Sequence, residues 1–235
     1  PPFARPLARA TLGQLGCPSE LQLEYIGFLP NRDRLLISCM SSGKERSILW
    51  DPYGGLDALV WLPAGDVLSI SPRGNMLLGA DALRGRRATI WDLDCGRTLD
   101  LESTAPALVG AFSEHGDRVA VLVESGDCLE GHCSLEVWST VSGQLLCAAE
   151  SQWGEVDFYG DQIFVHAVQR AFTIRPDPAG GDGCQLVLQN DALPPPGAFC
   201  DKHMPSGLTL LANQTTVVIS RGSETLHSFE LRHTP

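Results

Sequence analysis

The sequence predicts an all-β fold built from repeated four-stranded antiparallel units, and three observations carry that reading. The first is a pattern that occurs three times. Pro30-Asn31-Arg32-Asp33 is followed by Leu35-Leu36-Ile37 and then Ile48-Leu49-Trp50-Asp51. Pro72-Arg73-Gly74-Asn75 is followed by Met76-Leu77-Leu78 and then Thr89-Ile90-Trp91-Asp92. Glu114-His115-Gly116-Asp117 is followed by Val119-Ala120-Val121 and then Glu136-Val137-Trp138-Ser139. The second observation is the spacing: the turns recur every 42 residues and the tryptophans after 41 and 47. A period of about 40–45 residues, with a tight turn, an apolar strand, a loop and a second strand ending in Trp-Asp or a variant, marks a propeller blade of four antiparallel strands. The third is negative: no window of a dozen residues holds a helical period free of Gly and Pro.

The elements follow in order. Residues 1–20 are rich in Pro, Ala and Arg without a sustained period, and read as a linker or the tail of a preceding element. The propeller-like region is 21–235, with blades at about 22–62, 66–102, 107–149, 155–189 and 197–231. The strands expected in the first blade are 22–29, 34–40, 46–51 and 56–62; in the second 66–71, 75–80, 87–93 and 97–102; in the third 107–112, 118–124, 133–139 and 144–149. Val119–Val123 and Leu145–Ala149 are short apolar runs of the kind buried on both faces between neighbouring blades. Beyond 150 the pattern decays. Phe158-Tyr159-Gly160-Asp161 reads as a turn, Arg175-Pro176 stands where Trp-Asp belongs, and Pro194-Pro195-Pro196 separates a fifth unit with strands at 207–211, 216–220 and 225–231.

These residues resemble the WD-repeat β-propeller family, clearly over 24–149 and in degenerate form to the C-terminus. The resemblance implies radially arranged sheets acting as a rigid interaction platform. The departures are specific. The family's Gly-His pair is missing from every blade, and its aspartate before the third strand is Lys44, Gly85 or His132. The buried relay built on those residues is therefore not expected, and packing of Trp50, Trp91 and Trp138 is expected to carry blade stability. About five blades are present, which is within the range of a propeller. No exchange of a terminal strand is visible, so the expectation is part of a larger propeller or of a larger protein.

The net charge of −11 disfavours sequence-independent nucleic-acid binding and docking on an anionic membrane. No apolar run is long enough to span a bilayer. The eight cysteines have irregular spacing in a chain long enough to build a core without staples. Cys39 and Cys147 fall inside apolar strand patterns, where cysteine acts as a small hydrophobe. Reduced thiols and a cytoplasmic or nuclear location are expected.

Few residues suggest catalysis. The aspartates of Trp50-Asp51 and Trp91-Asp92 suit turn starts. Cys128, His132 and Cys133 lack a second ligand pair for zinc. No histidine sits in a nucleophile motif, and Gly180-Gly181-Asp182-Gly183 lacks the Lys and helix of a phosphate loop. Glu155 and Asp157 share a strand face, yet glycoside hydrolysis needs an opposed second carboxylate. No catalytic, cofactor or metal site is expected, and a glycosidase-like or small-ligand funnel is the weaker alternative.

The loops between second and third strands, and those entering the next blade, fall on one face. That face is expected to carry Lys44, Glu45 and Arg46, then Arg84, Arg86 and Arg87, then Asp127, Glu130 and His132, with Trp153 and Pro194–Pro196 beside them. The loop at 124–133 is five residues longer than its counterpart in the second blade. Scaffolds place recognition where loops vary. Arg84-Gly85-Arg86-Arg87 is the densest basic cluster in an acidic chain; it is either a solvated loop balanced by Asp81 and Asp94 or a contact for an acidic or phosphorylated partner. The expected function is a non-enzymatic protein–protein interaction scaffold, with Lys44, Arg46, Arg84, Arg86, Arg87, His132 and Trp153 as candidate partner-binding residues. A regulatory or sensor domain of a larger signalling or assembly protein is the other reading.

Overall fold

The computed structural model describes residues 22–32, 34–41, 44–51, 59–62, 66–81, 85–125, 132–165, 170–176, 183–189, 208–209, 216–221 and 224–230. Nineteen strands and no helix occur among them. They form four four-stranded sheets and one three-stranded sheet, each a simple antiparallel meander in sequence order. The chain divides into two compact units.

One unit combines residues 1–64 with 199–235. Its first sheet is β1 (Gln22–Phe28), β2 (Leu35–Ser41), β3 (Lys44–Trp50) and β4 (Leu59–Trp61). Leu35, Ile37, Ile48 and Trp50 are buried. Ser38 and Ser47 face each other across β2 and β3, and their buried hydroxyls satisfy one another at 2.6 Å. The three-stranded sheet of this unit comes from the other end of the chain. Its strands β17 (Leu208–Thr209), β18 (Thr216–Arg221) and β19 (Glu224–Glu230) lie within the fifth unit read from the sequence.

The other unit, Gly65–Ala198, stacks three sheets. The first holds β5 (Asp66–Ile70), β6 (Met76–Asp81), β7 (Arg87–Asp92) and β8 (Arg97–Asp100). The second holds β9 (Ala107–Phe112), β10 (Arg118–Glu124), β11 (Cys133–Ser139) and β12 (Leu145–Ser151). The third holds β13 (Val156–Tyr159), β14 (Gln162–Val165), β15 (Arg170–Pro176) and β16 (Cys184–Gln189). Two apolar layers lie between them. Leu78, Ile90, Phe112, Val119, Val121 and Trp138 share one. Ala120, Leu122, Leu135, Val137, Ile163 and Phe172 share the other. Because side chains alternate along a strand, β10 feeds both layers. This is blade-on-blade packing, and the all-β propeller class read from the sequence is the one observed.

The repeated turns have a common chemistry. The Ser71 hydroxyl accepts from Met76 N at 2.9 Å and donates to Asn75 Oδ1 at 3.0 Å. The Ser113 hydroxyl does the same with Arg118 N at 3.1 Å and Asp117 Oδ1 at 2.7 Å. Gly74 and Gly116 take φ of 67° and 74° at the same place in the two turns, where a side chain is disfavoured. This explains why the turn, not only the tryptophan, repeats at fixed spacing. Trp50, Trp91 and Trp138 are each 3% exposed, as expected of blade-core residues.

Three expectations are corrected. Phe158 and Tyr159 are strand residues of β13, and the turn is confined to Gly160-Asp161. Tyr159 is held in the strand by an edge-on contact with Phe164, ring centres 5.3 Å apart. Cys147 is not a free thiol: it forms a disulfide with Cys184, Cα atoms 5.1 Å apart, and Cys133 is also disulfide-bonded. Leu145–Ala149 is not buried on both faces: it lies in β12, the last strand of its sheet, where Leu145 and Ala148 are exposed and Cys147 is buried.

Candidate functional site

The antiparallel meander brings alternate connections to one end of the three-sheet unit. At that end the carbonyl of Arg86, before β7, accepts from Ala107 N at 2.8 Å, at the start of β9. Glu124 N, at the close of β10, donates to Pro106 O at 2.9 Å. The first residue of β11 pairs with the last of β12, Cys133 with Ser151. The β6–β7, β8–β9, β10–β11 and β12–β13 connections therefore share this end.

Arg86 is tied down by both its backbone and its side chain. Its φ of 59° is in the left-handed region. Its guanidinium reaches Asp66 Oδ2 at 2.7 Å, and its Nε donates to Ala107 O at 3.5 Å. The backbone and side chain together tie the β6–β7 connection to the starts of β5 and β9. Asp66 is thus a balancing carboxylate for Arg86. Arg87, the first residue of β7, is exposed and has no ion pair among the described residues. With Asp100, Leu101 and Glu102 it lines an open cavity of about 440 Å³. Arg84 lies outside the described residues.

Trp153 sits in the β12–β13 connection and is 47% exposed. His132 is exposed immediately before β11, and its carbonyl accepts from the Ser125 hydroxyl at 2.9 Å. Asp127, Glu130 and Pro194–Pro196 lie outside the described residues. Lys44 and Arg46 are not loop residues: they pair with Ser41 and Cys39 within the β2–β3 ladder, and only residues 42 and 43 connect the strands. They also belong to the other compact unit. The structure thus brings Arg86, Arg87, His132 and Trp153 to one end of one unit, without Lys44 and Arg46.

The turn role of Asp92 is explicit. Its carboxylate accepts from Asp94 N at 2.9 Å and Cys95 N at 3.2 Å. Burial alone would raise its pKa; those two amides, the Cys95 thiol and the nearby Arg97 charge outweigh burial and lower it. In the third repeat Ser139 replaces the aspartate and its hydroxyl accepts from Ser142 N at 3.3 Å. Of the carboxylate pair on the way into β13, Glu155 is exposed and Asp157 half-buried. Tyr159 is raised above its ordinary value by burial and by the charge of Asp157. Sequence reasoning missed Glu136, a buried carboxylate two residues before Trp138.

No family model matches the chain, and no curated protein matches it. Among solved structures it is similar to the β-propeller domain of the Trilobed protease from Pyrococcus furiosus, at 9% identity and a TM-score of 0.49, over 74% of this chain and 55% of that one. It is also similar to the acylaminoacyl peptidase of Pyrococcus horikoshii, at 11% identity and a TM-score of 0.48, over 74% of this chain and 31% of that one. TolB from Acinetobacter baumannii is similar at 9% identity and a TM-score of 0.42, over 72% of this chain and 41% of that one. The chain spans little more than half of the longest-matched of these proteins and less of the other two.

Proposed function

We propose that this chain is a WD-repeat-like propeller segment that works as a non-enzymatic protein–protein interaction scaffold. The observation that supports this reading is Trp153, 47% exposed on a connection at the same end of one unit as the exposed Arg87. Binding energy concentrates in Trp, Tyr and Arg residues, and a rigid stack of sheets holds such residues at little entropic cost. The open cavity beside Arg87 admits a side chain of a partner. Arginine pairs with carboxylates and phosphates, so the partner is an acidic or phosphorylated protein. Neither a cofactor nor a metal enters this reading. The protein acts as one component of a larger chain or complex.

The test is affinity purification of the intact protein, followed by surface plasmon resonance with the recovered partner at two salt concentrations. Trp153→Ala is expected to raise Kd at least about tenfold, as loss of an interface anchor does. Arg87→Ala is expected to slow association more at low salt than at high salt. Unchanged rates for both variants would remove this end of the unit as the contact. Substrate turnover by the wild type that Trp153→Ala leaves intact would favour the funnel alternative.

A further inference from the structure

We infer that the Cys147–Cys184 disulfide is a redox-sensitive clasp that holds the β13–β16 sheet against the β9–β12 sheet along their outer strands. Cys147 lies on β12 and Cys184 on β16, the last strands of two successive meanders. The bond spans 37 residues of sequence and joins two sheets that share no backbone ladder. At the other edge of the pair, the first strands meet through apolar packing: Val156 and Phe158 of β13 share a layer with Ala111 of β9. Reduction therefore removes the covalent tie at the outer edge and leaves the central apolar layer and the inner edge packed, so that the outer strands β12 and β16 are the ones freed to part.

The two sulfurs differ in access. Cys147 is 8% exposed, whereas Cys184 is half-buried at the end of β16 that follows residues 177–182 of the β15–β16 connection. A dithiol reductant attacks through a thiolate on the accessible Cys184 sulfur, and the Cys147 sulfur leaves as a thiolate. The second thiol of the reductant then attacks the mixed disulfide and releases Cys184. The reductant ends as a disulfide, and the cystine has gained two electrons and two protons. Once free, both thiols sit beside Leu146, Ala149 and Leu186 at the margin of the apolar layer, so opening exposes apolar surface there.

The experiment uses the whole chain prepared in an oxidising glutathione buffer and then divided, one half treated with dithiothreitol. Alkylation with mass-spectrometric readout assigns each thiol; the exposed free Cys95 labels in both halves and serves as the internal standard. Hydrogen exchange is then followed strand by strand. The expected result is that Cys147 and Cys184 label only after reduction, and that β16 amides exchange at least about tenfold faster while β6 and β7 are unchanged, as for a sub-global opening. Since Cys133 is also disulfide-bonded, the double variant Cys147→Ser/Cys184→Ser is carried alongside. Its β16 is expected to exchange fast in both halves, with no response to reductant. Labelling of Cys147 and Cys184 before reduction would overturn the inference. So would unchanged β16 exchange after reduction, or a reductant response that persists in the double variant.

Discussion

Glu136 Oε1 accepts a hydrogen bond of 2.7 Å from Thr104 Oγ1, joining the β8–β9 connection to the middle of β11. The same oxygen accepts from Thr104 N at 3.3 Å, and Oε2 accepts from Trp138 Nε1 at 3.2 Å. A carboxylate 1% exposed thus has three donors, two on the β8–β9 connection and one on its own strand. Glu136→Ala strands the buried Trp138 indole N–H, whereas the donors of the exposed Thr104 turn to water. Its expected cost is about 1–3 kcal/mol, the range for a buried donor left without its partner. Urea denaturation measures it. Glu136→Gln should fall between, since its amide nitrogen must meet one of those donors.

Gly79 and Trp91 form a second pair with a sharp test. A Cβ at Gly79 would stand 2.6 Å from the Trp91 ring, closer than atoms can pack. The ring lies over the facing strand, and its Nε1 is buried without a hydrogen-bond partner among the described residues. Gly79→Ala is expected to destabilise by about 1–3 kcal/mol through overpacking. Trp91→Ala is expected to cost about 3–5 kcal/mol through the cavity it leaves. If the clash is the cause, Gly79→Ala costs less in a Trp91→Leu background; equal costs in both backgrounds would place the ring elsewhere.

Asp92 links the Trp-Asp signature to acid sensitivity. Its pKa is lowered in the folded chain, so the folded state favours the ionised form. The stabilisation is present above the ordinary aspartate value of 3.8 and is lost as pH falls through the lower folded value. Thermal melts of wild type and Asp92→Ala should differ at neutral pH and converge on acidification below that range. A gap that persists at the acid end would mean the turn does not depend on the charge.

Arg86 separates a conformational cost from an ionic gain. The Arg86–Asp66 pair is 44% and 26% exposed, so losing it should cost no more than about 1 kcal/mol and less at high salt. Alanine at φ of 59° keeps the backbone cost, whereas glycine relieves it. Arg86→Gly is therefore expected to be at least as stable as Arg86→Ala. The reverse order in chemical denaturation would show that the loop relaxes to another conformation.

The strands of the first three repeats were legible because alternation and turn chemistry act locally. The reading 118–124 is found as Arg118–Glu124, and 87–93 as Arg87–Asp92. β13 was obscured because Tyr159-Gly160-Asp161 has the composition of a turn, and only tertiary packing on Phe164 extends the strand into Tyr159. Glu136 carried a usable signal: it has the same parity as Trp138 on β11, so a buried tryptophan places it on a buried face. The Cys147–Cys184 and Arg86–Asp66 partnerships carried none. Each joins residues that only the stacking or register of sheets brings together, and spacing along the chain does not encode that.

β10 serves two layers at once. Val119, Val121 and Val123 pack with Leu78 and Ile90, whereas Ala120 and Leu122 pack with Ile163 and Phe172. Neighbours in the chain are thus strangers energetically. Double-mutant cycles should give a coupling for Val121 with Leu78 and for Leu122 with Phe172, and near-additivity for Val121 with Phe172. Over evolutionary time, alternate positions of this one strand are free to drift with different partners, so that a volume gained at one position can be compensated in a sheet to which the next position is indifferent.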